Sequence, residues 1–424
     1  MLREHNTCRI CNSPLVDILD LGDQYLAGYV SDHKSVKFSE RKVPLALCRC
    51  DTNYSDSSCG LVQLKHTTPP FLLYQYYFYR SALNETMRNH LFGIADHGVR
   101  IAQPKSGDII LDIGANDGCL LRYLSKSYTN LVGFEPARNL SPFHQDLRGR
   151  IVNDFFSADS YRELTGLKRA KLIFSIAMFY DIEDPNQFVS DVNDILEDDG
   201  VWVLEQSYLP SMLTSNAFDS IVHEHLLYYS LDVLERLFSK YNLKIIDVEL
   251  NDTNGGSARI FVAKHRFPVS DEAARRIYDL KLKEFEMRLD TMKPFERFKN
   301  RVTKTCSTLH DFIEDSKSKG KVTFAYGAST KGSVTLQASN LDNNLIPACA
   351  DRNTDKIGWR MGGLNIPIIS EEDMRKQLPD YLLILPWHFL DNFLKREKEY
   401  LESGGKFIVP MPEFRVLGLE SLCV

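Results

Sequence analysis

A chain of 424 residues, 43% hydrophobic and 25% charged, is ordinary globular material, too long for one compact core, so two or three domains are expected. The net charge of -6, with no lysine- or arginine-rich run, argues against a nucleic-acid surface. No apolar run approaches the roughly 20 residues that cross a bilayer, and MLREHNTCRICN lacks the apolar stretch of a signal peptide, so a cytoplasmic location is expected, with neither membrane nor nucleic acid as partner.

The cysteines come first along the chain. Cys8 and Cys11 form a CxxC pair, Cys48 and Cys50 lie in the segment LALCRC, and Cys59 follows. In a reducing compartment clustered thiols read as metal ligands, and four thiolates from two turns satisfy tetrahedral zinc. The ligands read here are Cys8, Cys11, Cys50 and Cys59. Cys48 is the rival to Cys50, set aside on the expectation that the two point to opposite faces of a strand. Such a site has no open position, so its role is structural. Free thiols and a redox CxxC are the alternatives, the latter weakened because no βα pattern follows Cys11.

Next comes an aromatic run, Tyr74, Tyr76, Tyr77, Phe78 and Tyr79, followed by Arg80. It reads either as core and rim or as a lid whose phenols meet a polar substrate. Met87, Leu91, Ile94 and Ala95 at helical spacing predict a helix from Ala82 to about Gln103.

The segment IILDIGANDGCLL, residues 109–121, is an apolar run ending in Asp112, a turn bracketed by Gly114 and Gly118, and an apolar helix start. It predicts strand, tight loop and helix, with the glycines where a ligand approaches backbone. Further strands are predicted at Leu131–Phe134, Ile151–Asn153, Lys171–Ile176 and Val201–Glu205. A helix at Asp232–Lys240 follows, then a hairpin of Lys244–Leu250 and Ala258–Lys264 turning at Asn254, Gly255 and Gly256. DxGxxxG lacks the third glycine of the dinucleotide fingerprint, and a closing antiparallel hairpin separates a methyltransferase sheet from a dehydrogenase sheet. Glu135 ends the second strand, where a carboxylate accepts hydrogen bonds from ribose hydroxyls.

Residues 270–319 are charged, with Ile277, Leu280, Phe285 and Leu289 at helical spacing, and predict long solvated helices between domains. KVTFAYGASTKGSVTLQ then gives a second strand, turn and helix, matching neither a P-loop nor the three-glycine fingerprint. Strands at Ile346–Ala350, Leu382–Leu385 and near Phe407–Val409 complete a smaller α/β domain.

Cysteine pairs, a YYxYRS-like segment, DIGANDG, FEP, NDFF, MFYDIEDP, EHxxYYS, NGGS and YGASTKG occur in this order along almost the whole chain. Together they resemble the S-adenosylmethionine-dependent sugar C-methyltransferases that act on nucleotide-linked deoxy-keto-sugars. The resemblance implies an α/β fold in which a class I methyltransferase Rossmann-like sheet, residues 81–266, is flanked by two domains. These are a zinc-binding N-terminal domain, residues 1–80, and a C-terminal Rossmann-like domain, residues 267–424, that holds the substrate nucleotide. It implies His225 as general base, with Glu224 beside it and with Tyr77 and Tyr79 near the acceptor sugar and its enolate. For the methyl donor it implies Asp112, Gly114, Asn116 and Gly118, with Glu135 at the ribose, Asp154 and Phe155 at the adenine, and Ala177 and Met178 over the sulfonium. Arg80, His223, Tyr228, Tyr326 and Lys331 complete the acceptor set, Lys331 as the phosphate cation. For His223 a satisfied buried histidine is the stronger alternative, and a metal-binding HEH is disfavoured because zincin histidines stand four apart. Relatives differ at Val222, where a tyrosine is expected, and at Asp181, where a histidine is expected. O- or N-methylation of a sugar or related small molecule is the alternative activity. The sugar, its nucleotide, the methylated atom and the oligomeric state, a monomer included, stay open.

Overall fold

The computed structural model describes residues 2–26, 29–31, 41–74, 77, 79–147 and 150–422; Tyr76 and Phe78 of the aromatic run lie outside them. Ile109–Ile113 is buried along its whole length, as a parallel strand covered by helices on both faces must be. Leu131–Phe134 and Ala170–Ile176 flank it, both parallel. Ile151–Val152 and Leu196–Ser207 extend the sheet on either side. Ser257–Lys264 then runs antiparallel between Leu196–Ser207 and Leu243–Asn251. Numbered along the chain, the seven strands stand in the order three, two, one, four, five, seven, six. The order reverses between strands one and four, which opens a crevice at their carboxyl ends. Helix Glu85–Ala102 closes one face, capped by the Asn84 side chain and burying Leu91, Ile94 and Ala95.

The N-terminal sheet ties itself to the rest of the molecule. Leu15–Tyr25, Lys42–Cys50 and Val62–Leu64 pair antiparallel around Leu45, Leu47, Val62 and Leu64. Its fourth strand, Leu227–Tyr228, comes from far along the chain and pairs with Val62 and Gln63. The loop carrying His223, Glu224 and His225 is therefore anchored on the N-terminal sheet. A second tie runs to the far end, where Tyr29–Ser31 pairs antiparallel with Trp359–Met361.

The C-terminal sheet centres on Thr323–Tyr326, with Cys349–Asp351 and Tyr381–Ile384 parallel to it. Each neighbour is displaced by one to three residues from its predicted position, and Ile366–Ser370, beyond Cys349–Asp351, was not predicted at all. The charged region forms helices Asp271–Glu286 and Lys293–Ser318. The second is not merely solvated, because it buries Phe295, Phe298, Val302, Leu309 and Ile313. On the first, Phe285 points outward at 73% exposure while Glu284 is buried. The physical reason is polar. The Glu284 carboxylate accepts from the backbone N–H of Leu231 (2.6 Å) and Asp232 (3.1 Å), at the start of helix Leu231–Ser239, and from the Tyr208 hydroxyl.

Candidate active site

Cys8, Cys11, Cys50 and Cys59 converge, their sulfur atoms all within 4.8 Å of one another. The Sγ pairs Cys8–Cys59 and Cys11–Cys50 stand 3.5 and 3.4 Å apart. Four sulfurs at about 2.3 Å from one tetrahedral zinc would be spaced in this range, so the residues fit the ion. The Ile10 N–H donates to Cys8 Sγ at 3.4 Å, and Asn12 takes a left-handed φ of 61° that turns the knuckle. The reason given for excluding Cys48 needs correction, because residues two apart on a strand share a face. Cys50 is instead the last residue of its strand, where the chain turns toward Cys59, while the Cys48 thiol donates to the Gln63 carbonyl at 3.3 Å.

The loop after Ile109–Ile113 is a chain of satisfied polar contacts. Gly114 has φ of 79°, and a Cβ there would lie 3.1 Å from the Met178 side chain. Asn116, also left-handed at φ 50°, donates its N–H to Glu135 Oε2 at 2.8 Å. The other Glu135 oxygen accepts from the Ala137 N–H at 2.8 Å, leaving lone pairs for a ribose hydroxyl. Asp112 is buried, and burial, reinforced by the Glu135 charge, pushes its carboxyl up to about 8. Ala177, at φ 53°, donates its N–H to Glu205 O and carries Met178 over Gly114. Asp154 and Phe155 lie on the exposed rim, joined by an N–H of Phe155 donated to Asp154 Oδ1. Gly118, at φ 77°, makes the predicted turn. A Cβ there would strike Leu147 at 2.5 Å, so this glycine also serves close packing.

The aromatic segment is fastened to this loop. Asn116 Nδ2 donates to the Tyr79 carbonyl, its Oδ1 accepts from the Ser81 N–H, and the buried Asp117 carboxylate accepts from the Ala82 N–H. Asn139 clamps Tyr77 in both directions, at 2.8 Å each. Tyr79 is 47% exposed, and the Arg80 guanidinium lies 3.7 Å over the Phe143 ring. Tyr77, Arg80, Asn139 and Phe143 face Asn353, Asp355 and Lys356 of the C-terminal domain across a cavity of about 220 Å³.

Beyond Tyr77 lies a buried acidic centre. The Tyr74 hydroxyl donates to the Glu224 carbonyl at 3.0 Å. Glu224 Oε2 and Asp181 Oδ1 are buried without a hydrogen-bond partner among the described residues. Burial pushes the Glu224 carboxyl up to about 7. Burial, reinforced by Glu224, likewise raises Asp181 well above the carboxylate range. Val222 is packed in the core and offers no polar group.

His225 has its ring centroid 4.2 Å from that of Tyr180, and its Nδ1 stands 3.0 Å from the Ser220 carbonyl oxygen. A carbonyl only accepts, so Nδ1 carries the hydrogen and Nε2 keeps a lone pair. The Tyr228 hydroxyl donates to the same carbonyl at 3.3 Å. Ser220 Oγ accepts from Lys331 Nζ at 3.0 Å, and Trp387 Nε1 donates to Asp219 Oδ2 at 3.0 Å. Burial, with the Lys331 charge adding to it, lowers His225 to about 3. Lys331 thus reaches into the methyltransferase domain. Ser220 and Asp219 were missed in the sequence, where only their position five and six residues before His225 could have drawn attention.

Two expected acceptor residues are placed elsewhere. The buried His223 bonds the Val43 carbonyl at 3.1 Å and is a satisfied core histidine. Tyr326 is 1% exposed, donates to Glu397 Oε1 at 2.7 Å and packs edge-on against Phe393, so it belongs to the C-terminal core.

Glycine loop, ribose-level carboxylate and reversed seventh strand together define a class I methyltransferase. Residues 8–74 match a putative zinc binding domain, 87–248 a methyltransferase domain and 252–412 a C-methyltransferase C-terminal domain. The chain is similar to the C-methyltransferase NovU of Streptomyces niveus, 30% identical over 423 residues, covering 99% of each chain. It belongs to this C-methyltransferase family and is an S-adenosylmethionine-dependent enzyme with a small-molecule methyl acceptor. Among solved structures, an S-adenosylmethionine-dependent methyltransferase from Clostridium acetobutylicum is 12% identical, over 42% of this chain and 92% of that one, with a TM-score of 0.34. The plantazolicin methyltransferase BpumL in complex with SAH is 14% identical, over 43% and 86%, with a TM-score of 0.35. At those scores neither likeness adds weight. No helix among the described residues is long and apolar enough to cross a membrane.

Proposed function

We propose that this enzyme methylates a carbon next to the ketone of a nucleotide-linked deoxysugar, with His225 as the base. The observation that carries this reading is the His225 tautomer, with Nδ1–H held by Ser220 and Nε2 left to accept a proton. Carbon methylation α to a ketone needs such a base, whereas transfer to oxygen or nitrogen asks less of one. Glu224, Tyr77 and Tyr79 orient the acceptor, and a protonated carboxyl or a phenol donates to the enolate oxygen as charge develops there.

S-adenosylmethionine, when bound, supplies an electrophilic methyl group. Gly114 and Asn116 would line its methionine part, Glu135 its ribose, Asp154 and Phe155 its adenine, and the backbone of Ala177 and Met178 its sulfonium side. Lys331 and Arg80 would meet the nucleotide diphosphate, Lys331 beside the start of helix Thr330–Ala338. In this reading residues 1–80 present the tyrosines on a zinc-held scaffold, 81–266 bind the donor and 267–424 grip the nucleotide. Thiolate ligation of zinc suits a reducing cytoplasm.

The test is hydrogen exchange at the acceptor α carbon in deuterated water, without donor. Wild type should exchange it, and His225→Ala should lose exchange and lower turnover by about 10²- to 10⁴-fold with donor affinity unchanged. Turnover without any α exchange would favour O- or N-methylation.

A further inference from the structure

His225 is presented as a base, yet its surroundings make it a weak one. General bases work best with a pKa near the operating pH, and in this fold burial and a neighbouring ammonium hold His225 at about 3. The cause that a ligand can reverse is Lys331. It belongs to helix Thr330–Ala338 of the C-terminal domain, and its ammonium donates to Ser220 Oγ while the same residue's carbonyl holds His225 Nδ1. One serine therefore joins the cation to the base.

We propose that Lys331 and Ser220 form a relay through which an anion seated at Lys331, the diphosphate of the acceptor, makes His225 competent, so that the base is switched on by the nucleotide of its own substrate. This rests on the reading of His225 as base and Lys331 as diphosphate contact, and adds a coupling between them. Lys331 and Ser220 are then positioning residues, acting through His225.

Burial is the larger cause of the lowered His225 and Lys331 the smaller; Lys331 is itself lowered by burial and raised by Asp219, and its charge is the part of the effect that an anion can change. Tyr180 packs on the His225 ring from the turn Phe179–Asp181, and Tyr228 shares the Ser220 carbonyl; both phenols are raised by burial and stay neutral. Glu224, its chain neighbour, is raised by burial, as is Asp181 beyond it. Asp219 lies beside Lys331 but is tied to Trp387, and burial raises it as well. His388 is lowered by burial and by the same lysine, so it brings no positive charge. A diphosphate at Lys331 offsets the ammonium that disfavours the imidazolium, and by linkage a protonated His225 in turn favours the anion.

The experiment is carbon-13 NMR of histidine Cε1 in the full-length, zinc-loaded protein from pH 8 to pH 5, with the His225 signal assigned by its absence in His225→Gln. Thymidine diphosphate, uridine diphosphate and inorganic pyrophosphate are the probes, with binding followed by calorimetry. In wild type without probe the His225 signal should stay neutral across the range. A bound probe should raise its midpoint by about two units or more, into the scanned range. Lys331→Met should raise it without any probe and abolish the response, Lys331→Arg should restore the wild-type pattern, and Ser220→Ala should shrink the response. A saturating probe that leaves His225 unmoved overturns the relay. So does an unchanged midpoint in folded Lys331→Met, which decides the matter even if no probe binds tightly. A probe that binds wild type and Lys331→Met equally removes Lys331 as the diphosphate contact, and that failure is read from calorimetry rather than from His225.

Discussion

Around Gly114 to Asp117 the polar groups are spoken for. The Asn116 N–H is on Glu135, its side chain on Tyr79 and Ser81, and its carbonyl on His144, while Asp117 holds Ala82. Around His225 the reverse holds, with Glu224 and Asp181 each burying a carboxylate oxygen that nothing in the described protein meets. Buried polar atoms without partners cost stability, and a bound ligand is one way to complete them. On the proposed reading, the donor side is preformed and the acceptor side is finished by its substrate.

The largest test of that contrast is loss of the zinc. The His223–His225 loop is continuous with strand Leu227–Tyr228, which pairs with the sheet that holds the cysteines. Structural zinc contributes on the order of 10 kcal/mol to the folding of small domains. Chelation, or Cys59→Ser, should therefore cost at least about tenfold in turnover while calorimetric donor affinity changes less than about threefold. Cys48→Ser should do neither. Parallel loss of donor affinity on chelation would show the two sides to be one unit.

Glu224 gives a smaller and more specific effect. Burial pushes its carboxyl up from 4.5 to about 7, so between those values the folded protein holds a proton that the unfolded chain has released. Stability is then full below about 4.5 and falls as pH rises through about 7, by at most about 3 to 4 kcal/mol at 1.36 kcal/mol per unit. Urea midpoints at pH 5 and pH 8 should show wild type weakening and Glu224→Gln weakening less. The same slope in both proteins would mean Glu224 is not the strained group, and the contrast with the donor side would rest on Asp181 alone.

What could be read in the sequence divides along the same line. Ile109–Ile113 and Leu131–Phe134 were found to the residue, because a strand buried on both faces is a continuous apolar run with a glycine turn behind it. The four zinc ligands were also found, though on a faulty argument about strand faces. The acceptor side was found only as motifs. Its geometry depends on Leu227–Tyr228 joining a sheet begun at Leu15, on Lys331 crossing from another domain to Ser220, and on Tyr29–Ser31 pairing with Trp359–Met361. No local periodicity announces such partners. Glu284 is the same lesson in miniature, since charge patterning reads it as solvated and only the start of helix Leu231–Ser239 explains its burial.

Tyr326 tests how far the acceptor side extends, and its expected effect is the smallest. The tyrosine of YGASTKG stands at the end of a strand beside a turn that invites a ligand, yet its hydroxyl is spent on Glu397 within the C-terminal core. Arg375 also donates to both Glu397 oxygens, at 2.9 and 2.6 Å, so Tyr326→Phe leaves that carboxylate paired. The ring keeps its edge-on contact with Phe393, and the loss reduces to one hydrogen bond to a charged acceptor, about 1 to 2 kcal/mol by urea denaturation. KM for the acceptor should not move. A tenfold rise in that KM with stability intact would bring Tyr326 back to the substrate, and the finished, fully paired part of the molecule would then stop short of the C-terminal sheet.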